Sequence, residues 1–193
     1  MLGRHSANSP HKGRWVGCGS TYIGSKQVVM TVWFSDDSGT TYTFAKGGGL
    51  PFKGIGECQA VELSNGSVMI NARNEVYGCP NFPNCKPHHR LYAISDDGGS
   101  TFGAPQFAED LPEPICSAGL ANHGGTLFFS NPDSTSERTH MTLKASTDSG
   151  ESWQVDTPIF GGQSAYSVVV SLNDAARVGV VYERGEASPY ERV

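Results

Sequence analysis

An eight-residue pattern, Ser-x-Asp-x-Gly-x-Thr/Ser-aromatic, occurs three times in this chain and restricts its fold more than any other feature. The copies are Ser35-Asp36-Asp37-Ser38-Gly39-Thr40-Thr41-Tyr42, Ser95-Asp96-Asp97-Gly98-Gly99-Ser100-Thr101-Phe102 and Ser146-Thr147-Asp148-Ser149-Gly150-Glu151-Ser152-Trp153. They start 60 and then 51 residues apart. Each position has a physical reason. The Asp accepts hydrogen bonds from turn amides, the Gly takes a positive φ, and the aromatic opens the next strand and packs. A period of about 50 to 60 residues with several strands per unit is that of propeller blades.

The intervening segments agree. Residues 28–34 and 91–94 read as strands leading into the first two copies. Residues 60–63 and 68–71 enclose Ser64-Asn65-Gly66-Ser67, a hairpin signal. Residues 126–130, 167–172 and 178–182 are further strand candidates, and no amphipathic helix stands out. With 24 Gly, 11 Pro and 17% charged residues, the composition is that of a turn-rich β protein. The predicted fold is all-β, a single propeller domain over residues 1–193 holding about three to four blades.

Net charge is −5 and no long Lys/Arg run is present, which argues against a nucleic-acid partner. An anionic ligand therefore needs positive charge gathered in a pocket. No stretch reaches the ~18 apolar residues of a membrane span. Residues 1–14 are polar and lack the apolar centre of a secretion signal, and we expect the true N-terminus to lie upstream. Five cysteines leave at least one thiol unpaired within the chain. Cys79 and Cys85, with His88 and His89 nearby, invite a zinc reading. Their spacing is wider than a zinc knuckle and adjacent histidines rarely share one ion, so a loop disulfide is favoured and no metal or other cofactor is expected. Asn65-Gly66-Ser67 has the form of a glycosylation acceptor.

The richest stretch for chemistry is Glu57-Cys58-Gln59, the hairpin, and then Asn71-Ala72-Arg73-Asn74. With Asn65-Gly66 as a two-residue turn, Cys58 lies opposite Arg73 and Glu57 opposite Asn74. Glu57 and Arg73 then share the open end of the hairpin as diagonal neighbours within about 8 Å. Strict register aims them at opposite faces, so a bulge or splayed end is needed for them to share a pocket.

This stretch is similar to the equivalent one of animal sialidases, especially the lysosomal type. The three repeats resemble the Asp boxes of sialidases and related propellers. Phe128-Phe129-Ser130-Asn131-Pro132 followed by Arg138-Thr139-His140-Met141-Thr142-Leu143 looks like the segment bearing another sialidase arginine. Ser164-Ala165-Tyr166-Ser167 matches the family's nucleophile motif, and Val181-Tyr182-Glu183-Arg184-Gly185 resembles the strand after it. The resemblance runs in the expected order from about Gly13 to the last residue.

The resemblance implies a six-bladed propeller, present here in part, with exo-α-sialidase activity on sialylated glycoproteins, oligosaccharides or gangliosides. Arg73 and Arg138 are then two of three arginines that pair with the substrate carboxylate, as planar guanidinium groups do bidentately. Tyr166 is the nucleophile and Glu57 its base, since a free Tyr has a pKa near 10. A neutral phenol avoids the repulsion a carboxylate nucleophile would meet from the substrate's own charge. Glu183 is expected to steady the remaining arginine, and the outcome is retaining hydrolysis without a metal. In the family, that arginine and an Asp acid/base belong to earlier blades, upstream of this chain, so negligible activity is expected of the chain by itself. A lysosomal or secreted setting follows from the resemblance, with the cytoplasm an alternative. A non-catalytic Asp-box propeller, a sialic-acid-binding lectin and a trans-sialidase remain alternatives at this stage.

Overall fold

The computed structural model describes residues 3–4, 9, 11–23, 27–46, 55–75, 85–174 and 176–193. Among these, thirteen strands form three antiparallel sheets and no α-helix occurs. The first sheet orders β1 (Gly3–Arg4), β2 (Trp15–Ile23), β3 (Gln27–Ser35) and β4 (Thr43–Phe44) consecutively. The second does the same with β5 (Ile55–Glu62), β6 (Val68–Asn74), β7 (His89–Ser95) and β8 (Gln106–Pro112). The third holds β9 (Gly119–His123), β10 (Thr126–Pro132), β11 (Thr139–Ser146), β12 (Val155–Ser171) and β13 (Val178–Gly185). Each predicted strand overlaps one of these, with residues 63 and 172 lying one position beyond the ends of β5 and β12. The chain divides into two compact units, Met1–Gly78 with Leu91–Phe107 and Cys79–Arg90 with Ala108–Val193.

The three repeats occupy the same place in each sheet, the turn from the third strand to the fourth. In the first, Ser35 Oγ donates to Asp37 Oδ1 (2.8 Å) and accepts from Gly39 N (2.8 Å). Asp37 also accepts from Thr41 N (2.8 Å) and Thr41 Oγ1 (2.7 Å). The Asp97 turn repeats this network with Ser95, Gly99 and Thr101, and the Asp148 turn with Ser146, Gly150 and Ser152. The three glycines have φ of 89°, 87° and 87°, a region that L side chains rarely adopt. Hydrogen bonding holds the Asp37 and Asp148 carboxyls down at about 2, with the Thr41 amide first for Asp37 and the Ser152 hydroxyl first for Asp148. The aromatic position is less uniform than expected. Trp153 is buried against Phe129 (5.6 Å between rings), whereas Tyr42 is half exposed.

In the first unit, β6 is buried along nearly its whole length, as expected of a central strand covered on both faces. Met30, Val32, Ile55 and Ile70 add to that core, and a disulfide joins Cys18 of β2 to Cys58 of β5. In the second unit, Leu127, Phe129 and Met141 are fully enclosed. Arg90 and Glu113 are enclosed as well, at 0% exposure each. Arg90 Nη1 donates to Glu113 Oε2 (2.8 Å) and to the Cys116 carbonyl (2.9 Å), and its guanidinium lies 5.7 Å from the Phe129 ring centre. A charge so deeply buried is tolerable only when paired this closely. Cys116 is buried and is not disulfide-bonded. Cys85 is disulfide-bonded; Cys79, its expected partner, lies outside the described residues.

Candidate active site

The hairpin β5–β6 differs by one residue from the predicted pairing. Leu63 N donates to Ser67 O (2.8 Å) and Gly66 N to Leu63 O (2.9 Å), which makes a three-residue loop rather than a two-residue turn. Cys58 therefore pairs with Ala72, not with Arg73. The register then shifts between Ile55, opposite Asn74, and Cys58, so Gly56 and Glu57 together face Arg73. This is the bulge that bringing Glu57 and Arg73 together required. Arg73 Nη1 donates to Glu57 Oε2 at 2.5 Å.

A third group enters that the sequence reading missed. Glu75 Oε1 lies 3.3 Å from Arg73 Nε, so carboxylates approach the guanidinium at both its Nη1 and its Nε. Glu75 reaches it over Gly56, where an added Cβ would come within 2.0 Å of that oxygen. The alternation Arg73-Asn74-Glu75 was the available signal, since residues two apart on a strand share a face. The disulfide at Cys58 fastens the chain immediately after Glu57.

The second unit carries the other predicted residues. A bulge again sets the geometry. Ser164 pairs with Arg184 and Ser167 with Tyr182, so Ala165 and Tyr166 together face Glu183. Ala165 is fully buried, while Tyr166 is left 37% exposed on the neighbouring position. Glu183 Oε2 accepts a hydrogen bond from the backbone N–H of Tyr166 (3.1 Å). Glu183 thus binds the nucleophile candidate's own main chain.

Arg138 lies just before β11 and reaches the same place. Its Nη2 donates to the Ile115 carbonyl (2.7 Å), and its carbonyl accepts from Ser164 N (2.8 Å). The guanidinium lies 5.5 Å from the Tyr166 ring centre and 5.9 Å from that of Tyr190, whose hydroxyl accepts from Arg138 Nη1. Tyr190 is the second residue that sequence reasoning missed. A compact turn presents it. The Glu191 carboxylate accepts from the amides of Glu186, Ala187 and Ser188, which holds that carboxyl below its usual range. Arg184 and Arg192 exchange backbone hydrogen bonds, and Gly185 leaves no room for a Cβ beneath Ser188 O.

Each cluster places an arginine beside one of the candidate residues. In the first, the partly exposed Glu57 carboxylate is ion-paired with Arg73. The second offers an exposed phenol beneath a guanidinium whose remaining donors are oriented by main-chain and phenol oxygens. Both sit on bulges, where a strand can re-aim a side chain out of the alternating pattern.

The three sheets match β-propellers of the sialidase fold, of which this chain is one part. A microbial sialidase, Hadza Hz136, superposes with a TM-score of 0.75 at 26% identity over 90% of this chain and 33% of its own. The NanB sialidase of Streptococcus pneumoniae superposes with a TM-score of 0.73 at 22% identity, over 96% of this chain and 27% of its own. Residues 1–180 match the BNR repeat-like domain, and the chain belongs to that family. In sequence it is 30% identical to a sialidase of Micromonospora viridifaciens, over 94% of this chain and 28% of the relative. The chain thus spans less than a third of that relative's length.

Proposed function

We propose that the chain is the later part of an exo-α-sialidase acting on terminal sialic acids of glycoproteins, oligosaccharides or gangliosides. One observation carries the reading. Two separate bulges each lift a candidate reacting group, Glu57 or Tyr166, beside an arginine. In this reading Arg73 and Arg138 bind the substrate carboxylate, and Tyr166 attacks the anomeric carbon as its phenolic proton passes to Glu57. The glycosidic oxygen leaves with a proton from an acid outside this chain. Water then releases the sugar from the tyrosine with retained configuration. Glu183 holds the Tyr166 main chain so that the ring stays presented, and steadies the third arginine where that residue is supplied.

The test is turnover of a fluorogenic α-sialoside by the protein encoded by the full transcript, in wild-type, Tyr166→Phe and Glu57→Gln forms. Removing a nucleophile and its base is expected to cost at least about 10²–10⁴-fold in kcat, the scale of one positioned proton-transfer group. Wild-type rates in both variants would refute these roles. Sialoside binding with no turnover in the wild type would mark a lectin.

A further inference from the structure

Asn65-Gly66-Ser67 sits at the tip of the β5–β6 hairpin, and it is the sole Asn-x-Ser/Thr acceptor pattern in the sequence with a non-proline centre and a hydroxyl at the third position. We infer that Asn65 carries an N-linked oligosaccharide and that the chain is made on the secretory route.

The turn is built to tolerate a large substituent. Asn65 is exposed, and at Gly66 (φ 87°) an added Cβ would meet nothing within 4 Å. Asn65 Oδ1 accepts from Ser67 N (3.0 Å), which fixes the amide plane, while its Nδ2 makes no hydrogen bond among the described residues. Nothing in the folded turn has to move to accommodate a sugar there.

An independent observation points to the compartment in which such a transfer takes place. Cys18 and Cys58 are joined inside the first unit, where both sulfurs are buried, and Cys85 is also disulfide-bonded. Structural disulfides persist in oxidising compartments and are rare where thiols are kept reduced. An exposed Asn65 at a turn of a disulfide-bonded chain favours a usable acceptor over a chance match.

The chemistry is a group transfer from a lipid-pyrophosphate-linked oligosaccharide. Asn65 Nδ2 forms a bond to C1 of the first sugar, the C1–O bond to pyrophosphate breaks, Nδ2 gives up one proton to the transferase, and the lipid pyrophosphate departs. In the folded chain Ser67 Oγ donates to Asp96 Oδ1 (2.7 Å), so the hydroxyl of the sequon is engaged by the second repeated turn. Transfer therefore precedes closure of that contact, on the chain as it emerges. A strand rise of about 3.3 Å per residue places the glycan on the order of 20 Å from Glu57 along β5, clear of the candidate site. This inference stands whether or not the protein is a sialidase.

The experiment is expression of the full chain behind a cleavable leader in eukaryotic cells, with intact mass before and after peptide:N-glycosidase. We expect a heavier species that collapses on treatment, with residue 65 converted from Asn to Asp. Asn65→Gln and Ser67→Ala are expected to remove the added mass, and Ser67→Thr to keep it. Because Ser67→Ala also removes the Asp96 contact, Ser67→Thr and Asn65→Gln decide the matter if that variant misfolds. Recovery of the secreted, disulfide-bonded wild-type chain with residue 65 unmodified would overturn the inference.

Discussion

The carboxylates of the repeated turns and the phenol of Tyr166 represent two uses of a single side chain. Asp37 is exposed and Asp148 partly so, yet each is pinned by hydroxyls and a main-chain amide, so their pull toward low pKa comes from hydrogen bonds and not from enclosure. Their folded-state pKa of about 2 lies below the ordinary 3.8. The stability they supply is therefore complete above about pH 3.8 and is lost as pH falls toward 2. We expect Asp148→Asn to lower the melting temperature at neutral pH and to flatten its fall between pH 4 and 2, as read in a series of acid melts. Tyr166 was singled out from its motif as the nucleophile candidate. The half-exposure of its ring was not legible, because that depends on a bulge of Ala165 and Tyr166 against Glu183 that no local pattern announces. Tyr190 was equally hidden, since it reaches Arg138 across 52 residues of chain.

At the scale of the element, β3, β6, β7, β10, β13 and parts of β5 and β12 were read from the sequence, while β2, β9 and β11 were not. Nor was β8, because Gln106, Glu109 and Asp110 put polar residues on both of its faces. The hairpin loop was misjudged by one residue, because Asn65-Gly66 signals a turn without fixing which residues close it. The bulge at Gly56 and Glu57 was deduced as a requirement and is what the strands form. The Cys18–Cys58 link between β2 and β5 could not be read, since five cysteines admit many pairings. Replacing both by Ser is expected to cost about 2–4 kcal/mol, read from the denaturant midpoint of the oxidised chain. Glu113→Ala is expected to cost about 3–5 kcal/mol by stranding Arg90 without its partner. A paired Arg90→Met and Glu113→Leu replacement should cost less, because it removes both buried charges together.

Across the whole molecule, three like turns at one place in three sheets made the architecture legible from 24 residues. The five candidate residues fall in the two compact units, Glu57 and Arg73 in one and Arg138, Tyr166 and Glu183 in the other. The partners that hold them were not legible, because Glu75, Tyr190 and the Ile115 carbonyl are supplied by tertiary folding. The chain spans 28% of its sialidase relative in Micromonospora viridifaciens. Catalysis by the account above needs an acid and a third arginine besides these residues. We therefore expect the 193-residue chain alone to release no fluorophore from an α-sialoside above the buffer rate, while its folded state shows a cooperative melt.

The central claim is that Tyr166 is the group that receives the sugar. The most direct measurement is peptide mass mapping of the protein from the full transcript after reaction with a fluorinated sialosyl fluoride, which slows release of the glycosyl-enzyme. The account expects one adduct, on Tyr166, absent from Tyr166→Phe and slower to form in Glu57→Gln. An active protein whose adduct lies on another residue, or that forms none while Tyr166→Phe turns over normally, would contradict it.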